Sequence, residues 1–258
     1  MSGRRIEPSL LVIAAGVTAA IHVAKLPPAL PALGEQLGIS LVQAGSLISL
    51  VQLAGMGLGL FVGLAADAIG LRRTMLAGLV LASLASALAG LADRAWMLLV
   101  LRALEGLGFL LAVMPAPGLV RRLVSPQRLS PRLGLWGSYM PLGSGLALLA
   151  GPAWIGAWGW PSWWWLASAL SALAVAAVFL GVPPDPAPHA GTRAARGLRP
   201  RLSQTLRAPG PWLVSLAFAV YSGQWLAVIG FLPTVYAQAG IAPSLAGVAT
   251  VIVAGSNM

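Results

Sequence analysis

Apolar positions in this chain come in long uninterrupted runs, with neither the two-residue alternation of a half-buried strand nor the polar face of a surface helix. The runs cover residues 10–26, 41–66, 75–91, 96–120, 133–155, 162–182 and 211–232, and an eighth opens near Ser244. Most reach 17 residues or more without an ionised group, which predicts membrane-spanning helices rather than buried helices of a soluble core. Proline and glycine inside the runs do not oppose this, because neighbouring helices in a bundle satisfy the backbone groups they free.

Composition and charge sharpen the picture. Of 258 residues, 58% are hydrophobic and 9% are charged, far below the roughly 25% charged of soluble domains. The net charge of +10 would point to nucleic acid in a soluble protein, but its placement gives another reason. Arg4, Arg5, Arg72, Arg73, Arg121, Arg122, Arg128, Arg132, Arg193, Arg196, Arg199, Arg201 and Arg207 fall at the N-terminus and the even-numbered connections, whereas Lys25 and Arg94 fall on the odd ones. That asymmetry predicts a cytoplasmic N-terminus and needs no nucleic acid. The absence of cysteine removes disulfides, thiolate nucleophiles and Cys-ligated zinc. Trp154, Trp158, Trp160, Trp163, Trp164 and Trp165 gather at the turn between the fifth and sixth runs, where an interfacial aromatic belt is expected. The first run leads into further spanning segments without a clear cleavage site, and Glu7 follows the arginine pair, so it reads as a retained helix rather than a signal peptide.

An internal repeat is also legible. Residues 30–45 and 232–247 share seven of sixteen identities at a constant offset of 202, among them Leu30/Leu232, Pro31/Pro233 and Gly38/Gly240. The match aligns the turn after the first helix with the turn after the seventh, as expected of two six-helix halves repeated in parallel.

The segment Gly63-Leu64-Ala65-Ala66-Asp67-Ala68-Ile69-Gly70-Leu71-Arg72-Arg73 resembles the signature loop of the major facilitator superfamily, G-x-L-A-D-R-x-G-R-R, with Ala68 and Leu71 departing from it. Arg102-Ala103-Leu104-Glu105-Gly106-Leu107-Gly108 is similar to that family's R-x-x-Q-G-x-G, with Glu105 in place of Gln. The antiporter motif G-x-x-x-G-P-x-x-G-G is met only in part, by Gly151, Pro152 and Gly156, and assigns no antiporter. Tyr221-Ser222-Gly223-Gln224-Trp225, leading to Gly230-Phe231-Leu232-Pro233, looks like the cyanate/nitroimidazole and nitrate/nitrite-type branches. The resemblance implies an all-α polytopic bundle of the major facilitator fold and rocker-switch alternating access. It also implies that Gly63, Asp67, Gly70, Arg72 and Arg73 form a gating loop, Asp67 belonging to a cytoplasmic charge cluster that holds the outward-open state. A simple topology anchor is the other reading of that loop.

Candidate chemistry lies where ions interrupt the apolar runs. Arg102 sits roughly 9 Å and Glu105 roughly 14 Å along the helix from Trp96, deep in a core of about 30 Å. Ions at that depth normally face a cavity or a partner, and three residues apart the two share a helix face. Arg102 is expected to offer its forked donor to an anionic substrate or to a neighbouring carbonyl, and Glu105 to accept a proton or tune Arg102. A mutually neutralised structural pair remains an equal alternative. His22, Gln52, Tyr221, Gln224 and Trp225 are further cavity candidates, with Ser46 and Ser49 on the face of Gln52; packing or interhelical hydrogen bonding would serve each as well. No G-x-S-x-G, H-E-x-x-H or paired-Asp motif marks an enzyme, and no metal or cofactor is expected.

The expected architecture is therefore an N-terminal six-helix bundle at 1–182, a basic cytoplasmic linker at 183–210 with 183–189 disordered, and the start of a C-terminal bundle at 211–258. The 202-residue repeat predicts a complete carrier of around 400 residues, so this chain is expected to hold one six-helix half, the seventh helix and part of the eighth, with the remaining C-terminal helices missing. The expected function is secondary transport of a small solute in a bacterial inner membrane, tilted to a small anion or polar organic compound and coupled to protons. The contrasting expectation is a non-transporting scaffold or inactive fragment.

Overall fold

A computed structural model describes residues 6–186, 198–221, 224, 239–240, 249 and 252–253. Within these, the side chains of residues 41, 52–57, 60, 64, 65, 67 and 198–202 lie outside the description. Two compact units divide the chain, Met1–Ala187 and Pro188–Met258.

In the first unit every described element is helical. Helix α1 (Pro8–Ala24) starts on a proline at its first turn and stops before Pro27 and Pro28, which lack the N–H a continuing helix needs. A single 3-10 turn (Pro27–Ala29) leads into the short α2 (Leu30–Leu37), which closes at Gly38 in the left-handed conformation. Helix α3 (Leu41–Ile69) opens with a capping box, in which Ser40 Oγ accepts from the Gln43 N–H at 3.2 Å and Gln43 Oε1 accepts from the Ser40 N–H at 3.0 Å. Gly70 separates it from α4 (Leu71–Ala89). Helix α5 (Ala95–Val113) ends just before Pro115, and the short α6 (Ala116–Leu123) and α7 (Pro126–Gly137) follow. Helix α8 (Tyr139–Gly181) is broken at Gly159, where φ is 76°.

Contacts with α1 show that α8 is two arms folded back on each other. Along the first arm Gly143 approaches Val17 and Ala20 while Gly151 approaches Pro28, so this arm runs parallel to α1. On the second, Trp163 bonds the Lys25 carbonyl, Ser171 bonds His22 and Gly181 approaches Leu11, so the direction is reversed. Four helical runs are long and apolar enough to cross a membrane: Pro8–Leu37, Leu71–Ala89, Ala95–Leu123 and Pro126–Gly181. The last of these turns back at Gly159 into two arms, and the 29-residue α3 is about 43 Å long.

The core of this bundle falls into two apolar clusters stacked along the helices. One joins Ile21, Leu26, Leu33, Leu47, Leu98, Trp160, Trp163 and Trp164 at the tryptophan-rich end. The other joins Val12, Met75, Leu79, Leu119, Trp136 and Val178 at the arginine-rich end. Between them in the register of α1, α4, α5 and α8 lies a layer of buried polar groups: His22, Lys25, Ser86, Arg102, Glu105 and Ser171.

Two expectations need correction. The tryptophans form a belt only in part: Trp158 and Trp165 are exposed, but Trp160, Trp163 and Trp164 are buried, with Trp160 Nε1 donating to Gln36 Oε1 at 2.9 Å. Trp160 and Trp163 turn inward because α2 and the end of α1 offer acceptors for their indole N–H groups. Residues 183–186 are ordered, contrary to the disorder expected of the Pro-rich stretch, because Asp185 is fastened to α4.

The second unit contains α9 (Leu198–Arg207) and α10 (Pro209–Tyr221), with the Trp212 Nε1 donating to the Leu206 carbonyl at 2.8 Å.

Candidate functional site

The buried layer is one connected network. Lys25, the C-cap residue of α1, is wholly buried, and its ammonium meets Glu105 Oε1 at 2.5 Å, Ser86 Oγ at 2.6 Å and His22 Nδ1 at 3.3 Å. Three acceptors match its three N–H bonds. The Trp164 ring lies beneath it, 4.9 Å from Nζ to the ring centroid. Glu105 Oε2 accepts from Arg102 Nη1 at 3.0 Å, and His22 Nε2 is 2.6 Å from Ser171 Oγ.

Arg102 spends its remaining donors on backbone. Nε donates to the Leu47 carbonyl at 3.2 Å and Nη2 to the Val23 carbonyl at 2.8 Å, while Nη1 also donates to the His22 carbonyl. Val23 and His22 belong to the last turn of α1, where carbonyls have no helical partner and the helix dipole is negative. A planar five-donor fork suits that task, so Arg102 closes the end of α1 and ties α1, α3 and α5 together. Of the two partners expected for Arg102, the carbonyls are the ones it reaches.

Sequence reasoning placed Lys25 in an outer connection. The structure instead buries it as the centre of the network, because the chain continues past it into the 3-10 turn, α2 and the buried tryptophans. Its place inside the first apolar run, three residues after His22, was the available signal.

Other candidates are scattered. Ser46 and Ser49 are exposed on α3, with Ser46 Oγ donating to its own helix at the Val42 carbonyl. The Gln52 and Asp67 side chains lie outside the described residues, as does Trp225. Tyr221 ends α10 in the second unit, and Gln224 is a helical position there. The eighth apolar run and the 232–247 repeat segment fall almost wholly outside the description. Among the described residues no group of three or more His, Cys, Asp or Glu could hold a metal ion.

A second polar site forms at the arginine-rich end around the signature-like loop. Asp185 accepts from the backbone N–H groups of Arg72 at 3.0 Å and Arg73 at 2.9 Å, in the first turn of α4, and pairs with Arg122 Nη1 at 2.7 Å. It is an N-cap supplied from another part of the chain. Gly70 is required here twice over: its φ is 109°, and a Cβ would strike the Asp185 carboxylate. Burial pushes the Asp185 carboxyl upward, but the two backbone N–H bonds and the Arg122 guanidinium outweigh it and hold the group below the usual carboxylate range. A carboxyl held low in the fold stabilises it above the ordinary value of about 3.9 and loses that contribution as pH falls through the depressed value. Asp185→Ala should therefore cost about 0.5–2 kcal/mol at neutral pH. Thermal unfolding in detergent is the measurement, and the gap to wild type should narrow on acidification. A gap independent of pH would remove the charge-based account.

The fold and site define a multi-pass membrane helix bundle with a buried ion network among its described residues. Residues 10–258 match the Major Facilitator Superfamily model, and the chain belongs to that superfamily. Among curated proteins it is similar to Multidrug resistance protein MdtH of Proteus mirabilis, 39% identical over 92 residues, and of Yersinia enterocolitica, 37% identical over 92 residues; each match covers 36% of this chain and 23% of the relative. Among solved structures it is similar to a bacterial homolog of the human lysosomal transporter Spinster, in an inward-facing and unoccupied conformation, with a TM-score of 0.66, 18% identity, and coverage of 98% of this chain and 60% of that one. The D-xylose-proton symporter gives a TM-score of 0.60 at 17% identity, covering 95% of this chain and 65% of that one. Both share the fold, and the chain spans less than two thirds of either. The cyanate or nitrate branch finds no support among the curated relatives, which are multidrug resistance proteins.

Proposed function

We propose that this chain contributes to a secondary active transporter that moves a polar or amphipathic organic solute by alternating access, coupled to protons. The observation that carries the reading is the buried network of Lys25, Glu105, His22 and Arg102 in a bundle of a transporter superfamily. Ionised groups inside a membrane core are costly and are retained where a site uses them. The multidrug resistance relatives and the proton symporter among the fold neighbours support the solute class and the coupling ion. An anionic solute has less support than an organic one, since Arg102 donates to carbonyls and to Glu105.

The arginine asymmetry supports a cytoplasmic N-terminus in a bacterial inner membrane. Under the same reading Gly63, Asp67, Gly70, Arg72 and Arg73 act as the gating loop, and transport rates unchanged by Asp67→Lys would remove that role.

The test is flux. In proteoliposomes loaded with a pH-sensitive dye and given a pH gradient, ethidium, xylose and nitrate are added in turn. Dissipation of the gradient on adding an organic solute is the expected result. A gradient that no solute discharges would overturn transport in favour of a scaffold, and discharge by nitrate alone would restore the anion.

A further inference from the structure

We propose that Lys25, rather than Glu105, is the proton-exchanging group of this bundle, with the His22 ring changing tautomer to fit both of its protonation states. The inference rests on the proton-coupled reading above and names the atom that carries the proton.

Four helices place side chains against Lys25. Helix α1 supplies His22, α5 supplies Glu105 and Arg102, α4 supplies the neutral Ser86, and α8 supplies the neutral Trp164 and Ser171. His22 is neutral beside a charged Lys25, since a protonated Nδ1 would set one donor against another 3.3 Å away. Two cations and one anion, all nearly inaccessible to water, then give the layer a formal charge of +1.

Moving a proton has opposite consequences at the two ends of the pair. Protonating Glu105 removes the only described anion of the layer and leaves Lys25 and Arg102 as two buried cations. Deprotonating Lys25 brings the formal charge to zero and keeps the Arg102–Glu105 pair at 3.0 Å intact. Burial favours the step that reduces charge over the step that adds it.

Hydrogen-bond accounting agrees. With Lys25 charged, His22 Nδ1 accepts from Nζ and Nε2–H donates to Ser171 Oγ at 2.6 Å. With Lys25 neutral, its amine has two N–H donors for Glu105 and Ser86 and one lone pair. Flipping the tautomer turns Nδ1 into a donor to that lone pair, and Nε2 then accepts from the Ser171 hydroxyl. The side chains of Lys25, His22, Glu105 and Ser171 thus keep a hydrogen-bond partner in either state. A protonated Glu105 has no acceptor within hydrogen-bond reach: Oε1 and Oε2 meet the ammonium and the guanidinium, both donors, and His22 Nδ1 lies 3.8 Å from Oε1.

The transfer balances along this chain. The Nζ–H bond breaks with its electron pair left on the amine, and the proton bonds to His22 Nδ1. The Nε2 proton moves to Ser171 Oγ, and the proton formerly on that hydroxyl passes to a water admitted beside Ser171 when the bundle opens, since Ser171 is fully buried in this conformation. Reprotonation runs the same steps backward.

Lys25 is the only lysine in the sequence, which makes the test direct. The full chain is labelled with 15Nζ-lysine, side-chain 15N-histidine and carboxyl-13C glutamate, placed in lipid nanodiscs and followed by NMR from pH 5 to pH 10. Glu7→Gln and Glu35→Gln assign the two other glutamates, leaving Glu105 by elimination. The expected result is a lysine resonance that passes from ammonium to amine together with a switch of one histidine from the Nε2–H to the Nδ1–H tautomer, while the Glu105 carboxyl stays ionised. A titrating Glu105 with a fixed Lys25 would overturn the assignment, and so would a layer in which neither moves. The readout needs no solute, so a protein that transports nothing would sink the transport reading while leaving the Lys25 assignment standing or falling by its own resonance.

Discussion

Glu105→Gln is expected to destabilise the first unit by about 3–5 kcal/mol, the usual cost of removing one partner from a buried ion pair. The carboxylate is 1% exposed and receives Lys25 at 2.5 Å and Arg102 at 3.0 Å. Gln keeps the size and one carbonyl acceptor but removes the charge, so the loss is electrostatic rather than a cavity. Arg102 retains the carbonyls of His22, Val23 and Leu47, and the burden therefore falls on Lys25, which is wholly buried. The discriminating control is the double variant Lys25→Met with Glu105→Gln. Removing both charges of a buried pair is often close to neutral, so the double variant should recover most of the single loss, a coupling well above the 0.5 kcal/mol of independent sites. Thermal unfolding of the purified protein in detergent measures all three forms. A single variant within about 1 kcal/mol of wild type would show that the network does not hold the fold together.

What the sequence disclosed depended on how each residue differs from its local background. Arg102 and Glu105 stand out as ions inside a continuous apolar run, and the 3.6-residue period puts them on one face. The structure keeps that pair and adds partners from α1, α4 and α8 that are far away in the chain. Lys25 was hidden because it sits at the end of its run, next to two prolines, where a charge ordinarily marks a membrane boundary. Its burial follows from tertiary structure: α2 and the buried Trp163 and Trp164 extend the apolar core beyond the end of α1. Asp185 was hidden by composition, since a Pro-rich segment has no periodicity to read, and its role becomes visible only when α8 returns the chain to the first turn of α4. The long apolar helices were legible, because they depend on local hydrophobicity alone; the fold-back at Gly159 and the short α2 depend on partners.

Gly78→Ala is expected to disrupt the packing of α4 on α5, a large effect for a single methyl group. A Cβ at Gly78 would lie closer than 3.0 Å to the Ala112 nitrogen, the Gly108 oxygen and the Leu111 carbonyl carbon, all of them backbone. Backbone cannot rotate aside as a flexible side chain does, so the helices themselves must separate. Gly108 on the facing helix is equally confined, with the Ala82 nitrogen and the Gly78 oxygen 2.8 Å from its own absent Cβ. Such reciprocal small residues let two helices approach within backbone contact, the main source of helix association inside a membrane. Overpacking typically costs about 1–3 kcal/mol, and an unyielding backbone on both sides puts this site at the upper end. The displacement also reaches the ion network, because Glu105 lies one turn from Gly108 on α5. Gly145→Ala is the matched control: it lies inside α8 with no neighbouring atom within 4 Å, and the change should be neutral or stabilising by up to about 1 kcal/mol through helix propensity. Unfolding measurements on the two alanine variants separate close packing from propensity. Equal stability of Gly78→Ala and Gly145→Ala would mean that α4 and α5 do not meet as closely as the structure places them.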